Sequence, residues 1–394
     1  MTIAYKTEAD VAQLVEHVIG NDEVSSSILL IGSVISFQPF LSYTKNMRKL
    51  FLFLILSSLS IFSLSDSKWM AESLSNVETE RADKERKDKE NKEKKDKESI
   101  LFLGDIMLGR YVEKIGNRDG FSSLFVHVAP LFASSTYVIG NLEGASPKIH
   151  EKTPSGGFRF SFNDDALRAL SVHRITGVSL ANNHTFDTGG NGYAETTQKL
   201  TELGIASFGH ALFYKLDYIT SVVNGVPISI TGLNVITPEF KEADTISGLQ
   251  KVCEEIGENP LLLLLHAGAE YRDMQSGYHV TLARKIIDET CVRTIIGSHP
   301  HVVQGIEKYK GRFIFYSLGN FIFDQYFSKE TMEGFILKLE IKDGKFMFTL
   351  LPTVSKSSVP YLAEGDIKAD ILERIMKSST EEIRSHIING KVSE

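Results

Sequence analysis

An α/β fold is predicted by three features of the chain. Short apolar runs alternate with helical patterns, several runs are continuous rather than alternating, and the runs end on residues that carry chemistry. Continuous apolar runs suit strands covered on both faces, and the alternation of strand with helix argues for largely parallel pairing.

The elements follow in order. The first strand is expected at residues 100–103, ending in Gly104-Asp105. Others are expected at 137–139, 178–180, 228–233, 261–265, 294–296 and 313–318. A helix opens after Asp187-Thr188-Gly189-Gly190 and sets Tyr193, Thr197, Leu200 and Gly204 along one side. A second runs through Val280, Ala283, Ile286 and Ile287. Residues 335–341 and 346–351, joined by Lys342-Asp343-Gly344-Lys345, form a closing antiparallel hairpin. Ile367, Ile371 and Ile375 give the segment after residue 352 a helical period, so 353–394 is expected as a helical tail and 100–352 as the folded domain.

The residues before this domain are of other kinds. Met47, Arg48 and Lys49 precede an apolar run over 50–64, the n- and h-regions of a secretory leader. That run spans ~22 Å as a helix, short of a ~30 Å hydrocarbon core. Residues 47–65 are therefore expected to be a cleaved signal or a retained membrane anchor. Reverse-translated, residues 9–17 and 23–29 fit codons that resemble the D-arm and T-arm of a transfer-RNA gene. Residues 1–46 are accordingly expected to be spurious upstream translation with Met47 as the natural start; the alternative is an amphipathic helix over 9–19. Residues 66–99 form a linker, in which eight basic side chains face seven acidic ones between 82 and 98. Such a stretch has no apolar face to bury.

Composition bounds the function. Over 394 residues, 43 Lys+Arg against 50 Asp+Glu give a net charge of −7, without the basic footprint of a nucleic-acid binder. With 42% hydrophobic and 24% charged residues, whole-chain disorder is excluded. Cys253 and Cys291 are too few for a Cys-rich zinc site or a disulfide framework; they are either core residues or a single pair formed after export.

The strand ends carry the chemistry. Asp105 closes the first run, Asn141-Leu142-Glu143 the second, and Asn182-Asn183-His184 with Asp187 the third. His266-Ala267-Gly268-Ala269-Glu270, then Gly297-Ser298-His299-Pro300-His301, then Gly319-Asn320 close later ones. Gly104, Gly140, Gly144, Gly268 and Gly297 beside them permit tight turns. In an α/β sheet these ends share one edge, where ligands bind. Oxygen donors and imidazoles without thiolates suit a hard or borderline divalent ion, Mn, Fe or Zn. In an extended turn His299 and His301 point the same way, towards one site. His127, His150, His173, His210 and His279 are expected to be ordinary hydrogen-bonded residues.

Taken in order, Gly104-Asp105, Asn141-Leu142-Glu143, Asn182-Asn183-His184 with Asp187, His266 to Tyr271, Gly297 to His301 and Tyr316 to Phe321 resemble the motifs of the CapA family. Its members are capsule and poly-γ-glutamate biosynthesis proteins on a metallophosphoesterase-like fold. The resemblance covers about residues 100–330. It implies a four-layer α/β/β/α sandwich with metal at the strand ends, export, and membrane association through residues 47–65 where these are retained. By likeness to calcineurin-like phosphoesterases, Asp105, Glu143, Asn183, His266, His299 and His301 would hold one or two divalent ions. His184 would act as general acid and Arg110 would clamp an anionic oxygen, with Asn141, Asn182, Asp187, Glu270 and Asn320 lining the site. Met107 departs from the pattern, standing where a histidine ligand is expected, and a thioether is a poor ligand for hard metals. The implied function is the handling of an anionic polymer beside membrane synthase subunits in the cell envelope. The alternative is metal-dependent hydrolysis of a phosphoester.

Overall fold

The computed structural model describes residues 84, 98–154, 156–211 and 216–394. The chain divides into two units, 1–86 and 87–394, and the elements of the fold belong to the second. The upstream segment 1–46, the leader at 47–65 and nearly all of the linker lie outside the described residues. Among the described residues no helix is long and apolar enough to cross a membrane.

In chain order the elements are β1 (Ile100–Ile106), α1 (Arg110–Asp119), α2 (Ala129–Ala133), β2 (Tyr137–Leu142), α3 (Asp164–Val172), β3 (Gly177–Ser179), α4 (Gly189–Glu202) and β4 (Ala206–Phe208). Next come β5 (Tyr218–Val223), β6 (Val226–Asn234), α5 (Glu242–Ile256), β7 (Leu261–His266), α6 (Gly277–Glu289), β8 (Val292–Ser298), β9 (Ile306–Tyr309) and β10 (Arg312–Phe315). The chain closes with β11 (Asn320–Ile322), β12 (Glu333–Lys342), β13 (Lys345–Lys356), β14 (Val359–Leu362), α7 (Gly365–Lys377), α8 (Glu381–Ile387) and β15 (Lys391–Ser393).

Two sheets result. One has the order β14-β13-β12-β1-β2-β3-β4, with β11 added beside β1 and β15 beside β13. Its β1 to β4 are parallel and its β12 to β14 antiparallel. The other has the order β5-β6-β7-β8-β10-β9, parallel at the centre and antiparallel at both edges.

The continuous apolar runs are explained by where alternate residues go. Ile100 and Phe102 enter the buried cluster that joins the two sheets, as do Leu262 and Leu264. Leu101 and Leu103 pack instead with Val112, Ile115, Leu167, Leu170 and Leu200 of the helices on the first sheet's other face. Leu261, Leu263 and Leu265 do the same with Ile246, Leu249, Leu282 and Ile286 on the second sheet. Each strand buries both faces, so polar alternation disappears from the sequence. The result is a mixed α/β sandwich of two sheets with helices outside them. Caps hold the helices in register: Asn163 accepts from the Ala166 N–H at the start of α3, and Ser276 from that of His279 at the start of α6.

Three expectations differ from the structure. Residues 313–318 are not one strand: β10 stops at Phe315, and beyond Gly319, at φ +72°, the chain enters β11 in the other sheet. An unbroken apolar run conceals such a crossing. The hairpin is longer than expected at both ends, and turns through Asp343 and Gly344, both at positive φ, as a tight hairpin turn requires. Residues 353–394 hold more than helices, because β13 extends to Lys356 and β14 and β15 both pair with it. A three-residue strand is too short for its period to be read.

Cys253 of α5 and Cys291, just before β8, form a disulfide with Cα atoms 5.8 Å apart across a sequence separation of 38. Closing a loop of that length restricts the unfolded chain by about 4 kcal/mol in the chain-entropy model. Replacing both cysteines by alanine is expected to lower unfolding free energy by about 2–4 kcal/mol in urea titrations. An unchanged midpoint would deny the bond a stabilising role.

Candidate metal centre

Strand register brings the polar ends together. Asp105 lies opposite Asn141 on β2 and opposite Asn320 on β11, while His266 lies opposite Ser298 on β8. Close packing at this edge is possible only because two glycines allow it. A Cβ at Gly104 would stand 1.9 Å from the Gly319 carbonyl oxygen, and one at Gly297 2.0 Å from that of Tyr316.

Among the described residues, Asp105, Glu143 and His266 form a group in which one ligand atom from each lies within 4.8 Å of the others. All three are buried. His301 joins them, with Nδ1 3.3 Å from Asp105 Oδ2 and Nε2 3.9 Å from Glu143 Oε1. Asn183 Oδ1 is 2.8 Å from His266 Nε2. The His299 ring centre is 4.8 Å from that of His266, and its backbone N–H donates to Asp105 Oδ2 at 3.3 Å. The six residues expected as ligands thus share one neighbourhood.

The amides around them are oriented by backbone groups. Asn182 Oδ1 accepts from the His184 N–H and its Nδ2 donates to the Leu142 carbonyl and to Asn141 Oδ1. Asn141 Nδ2 then donates to Asp105 Oδ1 at 2.8 Å. Asn320 Nδ2 donates to the Thr331 carbonyl and to Gln325, which turns its Oδ1 towards His301 Nδ1 at 3.0 Å. A proton on Nδ1 is held by that oxygen, which leaves the His301 Nε2 side facing Glu143.

The His299/His301 pair is not an extended turn. Both residues have positive φ, 96° and 60°, and their ring centres are 6.0 Å apart. They converge through strained backbone rather than through alternation. Arg110 and Tyr271 beside the site also have positive φ, at 50° and 59°. Strain of this kind persists where surrounding structure over-determines it, and it gathers at functional sites.

His184 is held by Asp187, whose Oδ2 is 2.7 Å from Nδ1, and by the Phe160 ring stacked 3.8 Å away. Its Nε2 lies 3.9 Å from Glu143 Oε1. Arg110 stands over the Phe160 and Phe323 rings but is ion-paired with Asp324, which also accepts the Tyr111 N–H. Any clamp on a substrate oxygen would compete with that carboxylate. Glu270 is exposed, next to Tyr271, whose ring stacks over His301 at 5.8 Å. Met107 is buried in the apolar cluster beneath the helices, its sulfur accepting the Gly109 N–H.

Ser298, Phe160 and Asp324 are site residues that the sequence reading passed over. Ser298 Oγ is 2.9 Å from His266 Nδ1 and lies within a motif already singled out. Nothing in the sequence marks Phe160, which reaches His184 only through the loop before α3. The other histidines stand elsewhere. His150 lies between Ser161 and Glu113, while His279 is buried with neither ring nitrogen hydrogen-bonded.

Electrostatics and orphaned atoms point to a cation. Burial pushes the Glu143 carboxyl up to about 7, aided by Asp105. Burial opposes the charge on His301, but Glu143 and Asp105 outweigh it and raise this imidazole to about 9. Burial, then neighbouring His301, lowers His299 to about 3; burial and its histidine neighbours likewise hold His266 well below the ordinary range. Glu143 Oε1 and His299 Nδ1 are buried without a hydrogen-bond partner. Buried polar atoms rarely remain unpaired, and a donor set of carboxylate, amide and imidazole fits a divalent ion.

The chain has relatives among known proteins. The PGA biosynthesis protein CapA of Bacillus subtilis (strain 168) is 30% identical over 303 residues, 71% of this chain and 78% of that protein. The capsule biosynthesis protein CapA of Bacillus anthracis is 30% identical over 272 residues, 62% of this chain and 64% of that protein. Among solved structures, a hypothetical protein from Thermus thermophilus matches at 17% identity and a TM-score of 0.41, over 68% of this chain and 99% of that one. The family model described as bacterial capsule synthesis protein PGA_cap matches residues 99–325, and the chain belongs to that family.

Proposed function

We propose that this chain is an exported cell-envelope protein of capsule synthesis that holds a divalent cation at its strand ends and uses it to handle an anionic polymer, poly-γ-glutamate. The observation that carries the reading is the buried oxygen and nitrogen donor set with two orphaned atoms, in a chain of the capsule synthesis family. The order of layers supports a four-layer sandwich of metallophosphoesterase type. Export is supported by the leader at residues 47–65 and by the Cys253–Cys291 disulfide, a bond that persists in oxidising compartments. A retained leader would keep the protein beside membrane synthase subunits.

In this reading Asp105, Glu143, Asn183, His266, His299 and His301 hold the ion, of Mn, Fe or Zn type. When bound it supplies Lewis-acid polarisation and a binding point for carboxylate oxygens. The chain's own groups do the remainder. Asp187 fixes the His184 ring so that Nε2 faces the site, and Phe160 covers one ring face, which suits His184 to give or take a proton there. Tyr271 and Phe327, edge to face at 5.1 Å and partly exposed, offer apolar contact for the methylene groups of a chain molecule. Arg110 holds Phe160 by stacking and positions His184 through it. The second reading, phosphoester hydrolysis, is favoured by the His184–Asp187 pair beside Asn183.

Binding of poly-γ-glutamate is expected to need the ion. Chelator-treated protein and the Asp105→Asn variant should lose most binding in a sedimentation or light-scattering assay. His184→Ala should keep metal and polymer, but lose turnover of any hydrolysable substrate by at least ~100-fold. Undiminished polymer binding without metal would remove the cation from the role. Hydrolysis of a phosphodiester with no polymer binding would select the second reading.

Metal affinity is expected to climb with pH. The metal-free protein holds protons at Glu143 up to about 7 and at His301 up to about 9, and an ion must displace both. Proton release on binding should therefore be greatest at low pH and shrink as pH rises through these values. Calorimetry in buffers of different ionisation enthalpy counts them; a pH-independent affinity would exclude both residues as ligands.

A further inference from the structure

Asn141 has a place in the site that goes beyond lining it. Its Nδ2 lies 2.8 Å from Asp105 Oδ1, 3.5 Å from Glu143 Oε2 and 3.4 Å from His266 Nδ1. These residues are the three that form the compact ligand group. The amide nitrogen therefore stands within 3.5 Å of an atom of each, in a place a cation bonded to those atoms would otherwise take.

The orientation of that amide is determined by its neighbours. Two backbone groups, the His184 N–H and the Leu142 carbonyl, fix the Asn182 amide. Its remaining N–H donates to Asn141 Oδ1 at 3.0 Å, so the Asn141 NH2 must face the carboxylates. Turning it over would set NH2 against NH2 and carbonyl oxygen against carboxylate. Donors thus point at the group from a residue that is neutral at every pH.

The other side of Glu143 differs. Its Oε1 is buried and unpartnered, and faces His301 Nε2 and His184 Nε2 at 3.9 Å each. That separation is too long for a hydrogen bond; between Glu143 Oε1 and His301 Nε2, two of the residues read as ligands, it leaves room for an ion, with the His184 ring beside it. Met107 packs in the apolar cluster with its sulfur taken by the Gly109 N–H.

We infer that the Asn141 amide takes the place of one cation, so that the site carries a single ion, on the Glu143 Oε1 side, of the one or two that the resemblance implies. Two partly positive hydrogens satisfy the acceptors there at a lower total charge. Asn182, through its bond to Asn141, is the positioning residue of this device. The inference rests on the metal-binding reading above and deepens it.

The test is a count of ions, with Mn2+ as the probe on the whole chain. Elemental analysis after gel filtration should return one Mn2+ per wild-type chain, with the six-line electron paramagnetic resonance spectrum of an isolated ion. Asn141→Asp supplies the missing charge with the same shape and should bind two, with the altered spectrum of a coupled pair. Two ions on the wild-type chain would overturn the inference and leave the metal-binding reading standing. No ion on the wild-type chain would defeat the reading itself. A single ion on a folded Asn141→Asp variant, its fold checked by circular dichroism, would remove Asn141 from the role. Should that variant not fold, the wild-type count and spectrum decide alone.

Discussion

Two carboxylates buried together, Asp105 and Glu143, set the terms for everything around them. An isolated charge in a protein interior costs several kcal/mol, and a second like charge beside it adds to that cost. The surrounding residues answer it with His301, with amide donors from Asn141 and with a backbone N–H from His299. The compensation is incomplete at Glu143 Oε1 and His299 Nδ1. A cation beside those two atoms would supply what is missing.

Holding these groups together requires two sheets rather than one. Asp105, Asn141 and Glu143 come from the sheet that contains β1 and β2, and His266 and His299 from the end of the sheet that contains β7 and β8. Between β10 and β11 the chain passes from one sheet to the other and delivers Asn320 to His301. Gly104 and Gly297 let the backbones approach at this junction, and positive φ at His299 and His301 turns both rings inward. The apolar cluster shared by the sheets makes the arrangement rigid enough to sustain that strain.

Much of this was legible beforehand. The apolar runs located β1, β2, β3, β6, β7, β8 and β10, because burial on both faces writes a strand as unbroken hydrophobicity. The polar residues after each run were legible as a set, because parallel strands share a carboxyl edge. Short edge strands such as β4, β14 and β15 were not legible, since three or four residues show no period. The crossing inside residues 313–322 was hidden because both of its ends are equally apolar. Phe160 and Asp324 left no mark in the sequence, as one acts by stacking and the other by pairing with a residue more than two hundred positions away.

By itself the sequence determined the fold class, the residues available for coordination and the family, since these follow from local pattern and from motif order. The tertiary structure alone decided which atoms face which. It turned Met107 into the core, paired Arg110 with Asp324, joined Cys253 to Cys291 and aimed the Asn141 amide at the carboxylates. Those outcomes depend on side-chain direction and on partners distant along the chain, and neither is encoded in spacing.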